Sequence, residues 1–185
     1  MAHLSACGVS AVINTKLYVT TACDGFSGYR RDLDVYDPAN DSWTSLSESH
    51  VAHSQPAGAE IDGKLYVAGG QNTRGLTSIT EVYDPATNSW TSLARMHTAV
   101  VNPASVGFGG KLWVFGGSDG TNVQSLVQVY DPITDRWRTS TLSMPAPSQQ
   151  AGAAVTYGIA FVAGGSTGSA LVGTNNALFV FPSIP

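Results

Sequence analysis

Lys64–Gly70 reads KLYVAGG and Glu81–Trp90 reads EVYDPATNSW, and these two stretches decide the fold. The first is a run of β-favouring residues halted by two glycines, the pattern of a short strand. In the second, two β-rich segments flank Asp84-Pro85-Ala86-Thr87-Asn88. Pro85 presets φ for a tight turn, while Asp84 and Asn88 can bond nearby backbone, so the flanks form a hairpin. Working outward, an inner strand is expected near Pro56–Ile61 with a turn at Asp62-Gly63. A second strand follows over Lys64–Gly70, a third over Ser78–Tyr83 and a fourth over Ser89–Leu93. Four antiparallel strands fill one unit.

The unit repeats. Tyr36, Tyr83 and Tyr130 are each 47 residues apart, as are Trp43, Trp90 and Trp137. KLYVTTA and KLWVFGG match KLYVAGG, and GIAFVAGG is an altered fourth copy. The units run approximately 1–47, 48–94, 95–143 and 144–185. A four-stranded sheet has two large faces that one copy cannot bury, so the copies must stack around an axis. The recurring Tyr and Trp then fill the space between sheets. The pairs Gly69-Gly70, Gly116-Gly117 and Gly164-Gly165 end each second strand where a bulky side chain would collide with its neighbour.

A double glycine after an apolar strand, then Tyr-Asp-Pro, then Trp some six residues on, resembles the kelch motif. Three repeats match well and the fourth in part, so the resemblance covers nearly the whole chain. It implies an all-β, kelch-type β-propeller of four blades, each a four-stranded antiparallel sheet, and in this family often a protein-recognition module. Two departures stand out. Thr21-Ala22 replaces the first double glycine, and FVFPSIP (179–185) stands where a fourth VYDPxxxxW is due. With no visible fourth strand in the last unit, the expected fold is a partial or truncated propeller, completed by a homodimer partner or by further blades.

Composition agrees with strands and limits the partners. Only 12 % of residues are charged, 20 are glycine, and the net charge is −4. An acidic chain lacks the basic face that nucleic acid requires. No apolar run reaches the roughly 18 residues of a membrane span. MAHLSACGVSAVIN lacks the basic and continuous apolar regions of a signal peptide. Neither nucleic acid nor membrane is therefore expected as a partner.

Strand alternation sorts the loops onto two faces. Lys16, Lys64 and Lys111 fall in short turns and read as solvating residues, and Asp37, Asp84 and Asp131 read as turn formers. The opposite face carries loops that differ in length and chemistry, CDGFSGYRRD, QNTRGLT, SDGTNVQS and STGSALVGTNN, as suits a scaffold bearing recognition loops. Tyr29, Arg30, Arg31, Arg74 and Arg95 map there, with His50, His97, Asp119 and Asn122. Arg and Tyr often anchor interfaces, and Arg clamps carboxylates with two hydrogen bonds. An acidic peptide or an anionic sugar is the expected ligand. Against this stands the plainer reading of loop arginines paired with Asp24, Asp32 and Glu48.

His3, His50 and His97 also recur every 47 residues. Equivalent positions on adjacent blades lie too far apart for the zinc–nitrogen distance of about 2.0–2.1 Å, so no metal is expected. Cys7 and Cys23 fall nearly opposite each other on neighbouring strands and could form a cross-strand disulfide or remain two half-buried thiols. No nucleophile elbow, phosphate loop or HExxH motif is present, so neither catalysis nor a cofactor is expected. The leading expectation is a non-catalytic binding platform for a protein or peptide. One alternative is a carbohydrate-binding or sugar-modifying propeller, since some propellers of the family resemble sugar oxidases or sialic-acid-converting enzymes. The other is an incomplete fragment of a larger propeller.

Overall fold

Each KLYV-type run becomes the second strand of an antiparallel sheet in a computed structural model that describes residues 7–23 and 28–170. Blade 1 holds β1 (Ser10–Ile13), β2 (Lys16–Cys23), β3 (Tyr29–Asp37) and β4 (Ser42–Ser45), hydrogen-bonded in that order. In blade 2, β5 (Ala57–Ile61), β6 (Lys64–Ala68), β9 (Thr80–Asp84) and β10 (Ser89–Leu93) repeat the meander. A small hairpin of β7 (Gln71–Asn72) and β8 (Gly75–Leu76) is inserted between β6 and β9. Blade 3 consists of β11 (Ala104–Phe108), β12 (Lys111–Phe115), β13 (Val127–Asp131) and β14 (Arg136–Thr139). Blade 4 is described as β15 (Gly152–Thr156) paired with β16 (Ile159–Ala163). The FVFPSIP segment lies outside the described residues.

The expected second strand was Lys64–Gly70, but β6 stops at Ala68. Gly69 and Gly70 have φ of +72° and +82° and turn the chain out of the sheet. A Cβ on Gly69 would sit 2.9 Å from Met96 Sδ, and one on Gly116 would sit 2.4 Å from Met144 Cε and 2.2 Å from the Ser148 carbonyl oxygen. The first glycine of these two pairs thus makes room for the segment leading into the next blade. On Gly164 nothing among the described residues lies within 4 Å.

Three cores fill the three blade junctions. Tyr18, Leu33 and Val35 pack with Leu65, Val67 and Tyr83 between blades 1 and 2. Tyr66 and Ala68 meet Leu112, Val114 and Trp137 between blades 2 and 3, and Trp113, Phe115 and Val127 meet Ala160 and Val162 between blades 3 and 4. Tyr and Trp of one repeat face each other across strands: Tyr36 on Trp43, Tyr83 on Trp90 and Tyr130 on Trp137, with ring centroids 5.1, 5.4 and 5.3 Å apart. The Trp90 and Trp137 indoles donate back to Ser47 O and Ala94 O, tying each blade to the connector before it. The inner strands pack in sequence, β1 on β5, β5 on β11 and β11 on β15. No packing of that extent joins β15 to β1, so the described blades form an arc.

The repeated lysines do more than solvate turns. Lys16 pairs with Asp37 at 2.9 Å, Lys64 with Asp84 at 2.8 Å, and Lys111 with Asp131. Each lysine holds its aspartate below the usual carboxylate range. These half-buried surface pairs are screened by solvent. Their regular placement fixes turn register more than it adds stability.

Cys7 and Cys23 are joined in a disulfide, with Cα atoms 5.7 Å apart, which settles the alternative left open by the sequence. It closes a 16-residue separation, and a loop of that size confers about 3 kcal/mol by restricting the unfolded chain. Reduction should therefore lower the melting temperature by roughly 5–10 °C. A melting curve with and without reductant, read against Cys7→Ser/Cys23→Ser, checks this.

Candidate functional site

Blades 1 and 2 leave between them, on the loop face, a cavity of about 770 Å³. Its wall is built by three kinds of segment. The start of β3 supplies Tyr29, Arg30 and Arg31; the β4–β5 connector supplies Glu48, His50 and Val51; the β7–β8 hairpin supplies Arg74. Arg95 arrives from the connector after β10. Six sequence-predicted site residues thus meet at one cavity: Tyr29, Arg30, Arg31, His50, Arg74 and Arg95. His97, Asp119 and Asn122 do not line it. Asp119 instead closes its own loop, accepting from the backbone N–H groups of Thr121 and Asn122 and from the Gln124 amide. His3 and Asp24 lie outside the described residues.

The arginines divide into two pairs. Arg30 Nε is 2.5 Å from Asp32, and Arg31 Nη2 is 2.6 Å from Glu48. The plainer expectation of neutralised loop arginines thus describes these two. Arg74 and Arg95 are exposed and form no ion pair or side-chain hydrogen bond among the described residues. Arg74 is held in place by its backbone, whose N–H donates to Asn72 Oδ1 at 2.9 Å inside the hairpin. A guanidinium on a rigid turn keeps its donors available and loses little entropy when it binds.

Beneath the cavity rim lies a cluster that sequence reading missed. The Glu81 side chain is fully buried. Its carboxylate is 2.6 Å from His50 Nδ1 and 3.1 Å from His53 Nε2, and it accepts the backbone N–H groups of His50 and Val51. Burial alone would push the Glu81 carboxyl up. The His53 hydrogen bond and charge, with the two backbone donors, outweigh it and hold the group below its ordinary value. His53 falls outside the 47-residue series of His3, His50 and His97, so periodicity gives no sign of it. Buried, it spans from Glu81 to the Gly69 carbonyl oxygen, 2.8 Å from Nδ1. A legible trace existed: Asp34, Glu81 and Gln128 recur every 47 residues, two before each repeat tyrosine, and all three are buried.

A carboxyl whose folded pKa is depressed contributes stability above its unfolded value and loses it as pH falls through the folded value. For Glu81, with an ordinary value of 4.5, acid destabilisation should set in below that point. Glu81→Gln should flatten this part of the pH–stability profile, as read by melting temperature between pH 3 and 6.

Comparison with known proteins follows the same lines. A model of the kelch motif matches residues 52–97 and 99–141. Among solved structures, the chain is similar to that titled "Structure of YjhT", with a TM-score of 0.76 at 20 % identity. That match covers 87 % of this chain and 59 % of the other, so the chain spans little more than half the length of the structure it resembles. No curated protein sequence matches. Repeated blades, their inter-blade aromatics and the motif match lead to one assignment: residues 52–97 and 99–141 are kelch motif repeats, and the chain has the fold of part of a β-propeller.

Proposed function

We propose that the chain is a non-catalytic binding platform whose cavity between blades 1 and 2 takes an acidic peptide. The observation that carries this reading is the pair of exposed arginines, Arg74 and Arg95, without a counter-ion among the described residues, on the wall of a 770 Å³ cavity. Tyr29, 38 % exposed at the cavity edge, adds an amphipathic ring of the kind enriched at interfaces. Arg31 can exchange its exposed Glu48 partner for a ligand carboxylate at little cost, because such pairs are weak in water. The cavity is wide enough for several side chains, and Arg74 and Arg95 together favour a ligand with more than one carboxylate.

The test is a fluorescence-anisotropy titration with a labelled glutamate-rich peptide at low and physiological salt, alongside a lysine-rich peptide and N-acetylneuraminic acid. Binding of the acidic peptide alone, weakening as salt rises, supports the reading. Binding of the sugar acid without the peptide would replace it with the carbohydrate reading.

A further inference from the structure

His53 Nδ1 faces the Gly69 carbonyl oxygen, which can only accept, so that nitrogen carries a proton. Nε2 faces Glu81, whose other contacts are donors, the N–H groups of His50 and Val51. Toward a carboxylate held by such donors, a proton on His53 Nε2 completes a hydrogen bond, whereas its loss turns a lone pair to the charge. His50, more than half exposed on the cavity wall, points its Nδ1 at the same carboxylate. Three ionisable groups therefore fasten the segment that forms one rim of the cavity.

The other blades show what the fastening does without charge. In blade 3 the equivalent residue is Gln128, which accepts from Thr98 N and donates to Thr98 O, each at 2.9 Å. In blade 1 it is Asp34, which accepts from Ser45 Oγ at 2.8 Å. A neutral amide suffices to hold a connector. Among the described residues, only blade 2 builds the clamp from a carboxylate between two histidines, and only there does it border the arginine-lined cavity.

We infer that His50, Glu81 and His53 form a proton-operated latch that tunes the affinity of this cavity for an anionic ligand. The inference rests on the proposed acidic-ligand reading of the cavity. Histidine changes charge between pH 5 and 8. With both rings protonated the cluster carries net positive charge and the connector is pinned. With both neutral, His53 turns a lone pair toward the Glu81 carboxylate, the pinning weakens, and a net negative charge remains under the rim. Other charged groups face the cluster. Arg30, Arg31 and Asp32 of β3 line the small space beside His53, and Glu48 lies on the connector itself. Arg31 also donates to the His50 carbonyl oxygen at 3.4 Å, which links latch and cavity. From β10, Ser92 adds only a neutral hydroxyl, 3.3 Å from His50 Nδ1.

The experiment measures affinity for the labelled glutamate-rich peptide at pH 6 and pH 8 at constant ionic strength. The proteins are wild type, His50→Gln and Glu81→Gln, the last copying blade 3. Peptide carboxylates stay ionised across this range. Wild type should weaken roughly tenfold on going to pH 8, and both variants less than about twofold. Amide hydrogen exchange at His50 and Val51 provides a readout without ligand. Protection, corrected for intrinsic rate, should fall toward pH 8 in wild type and stay level in Glu81→Gln. Peptide bound equally well at both pH values overturns the latch and leaves the binding site standing. Level protection in wild type also overturns it. A pH-dependent rim with no peptide binding supports the latch while refuting the acidic-peptide reading.

Discussion

Arg74→Ala combined with Arg95→Ala should weaken acidic-peptide binding by about 100-fold or more while shifting the melting temperature by no more than about 2 °C. Hydrogen bonds to charged groups contribute about 1.5–3 kcal/mol each when the partner is removed, and two such losses multiply. The fold should be indifferent, because both side chains are exposed and neither has a protein partner among the described residues to leave unsatisfied. Arg31→Ala is the informative contrast. It frees Glu48, placing an uncompensated negative charge on the same wall, so it should weaken binding both by losing a cation and by exposing an anion. Arg74→Lys should recover only part of the affinity, since an ammonium cannot make the two-pronged contact. If the double alanine variant binds as wild type does, the cavity is not the site.

Gly116→Ala should be strongly destabilising. Two costs coincide there. The residue has φ of +61°, where an L side chain costs roughly 1–2 kcal/mol, and its Cβ would stand 2.2 Å from Ser148 O and 2.4 Å from Met144 Cε. Relieving that overlap requires the connector to retreat from blade 3, and overpacking of this kind costs about 1–3 kcal/mol more. A total near 3–5 kcal/mol should lower the melting temperature by about 10 °C or more. Gly164→Ala is the control. Its φ of +71° is nearly the same, but no described atom lies within 4 Å of the added methyl. It should lose only the conformational part, so the difference between the variants isolates the blade-to-blade contact.

The first repeat shows the same contact solved differently. Thr21 occupies the place of the first glycine, and Ser49 stands where the later connectors carry Met96 and Met144. A small connector residue leaves room for a side chain on the strand, whereas a long one requires glycine. The exchange is imperfect, since Thr21 Oγ1 is buried without a hydrogen-bond partner among the described residues. The departure was visible in the sequence. Its explanation needed Thr21 and Ser49 to be seen side by side around one small space.

The sequence by itself determined the repeated scaffold. Strand alternation, Asp-Pro turns, double glycines and the 47-residue spacing of Tyr and Trp are local or periodic signals, and each repeat restates them. It also brought six of nine candidate loop residues to one cavity, because strand alternation fixes the face on which every loop emerges. Only the tertiary structure decided which charges remain available. Whether Arg31 meets Glu48, whether Arg74 meets no counter-ion among the described residues, and whether Lys64 meets Asp84 depend on side chains brought together from different strands and connectors. The same holds for Glu81. Its polar character was legible at a position two before Tyr83, but its charge state comes from burial, from His53 and from two backbone N–H groups that the chain delivers only after blades 1 and 2 have packed.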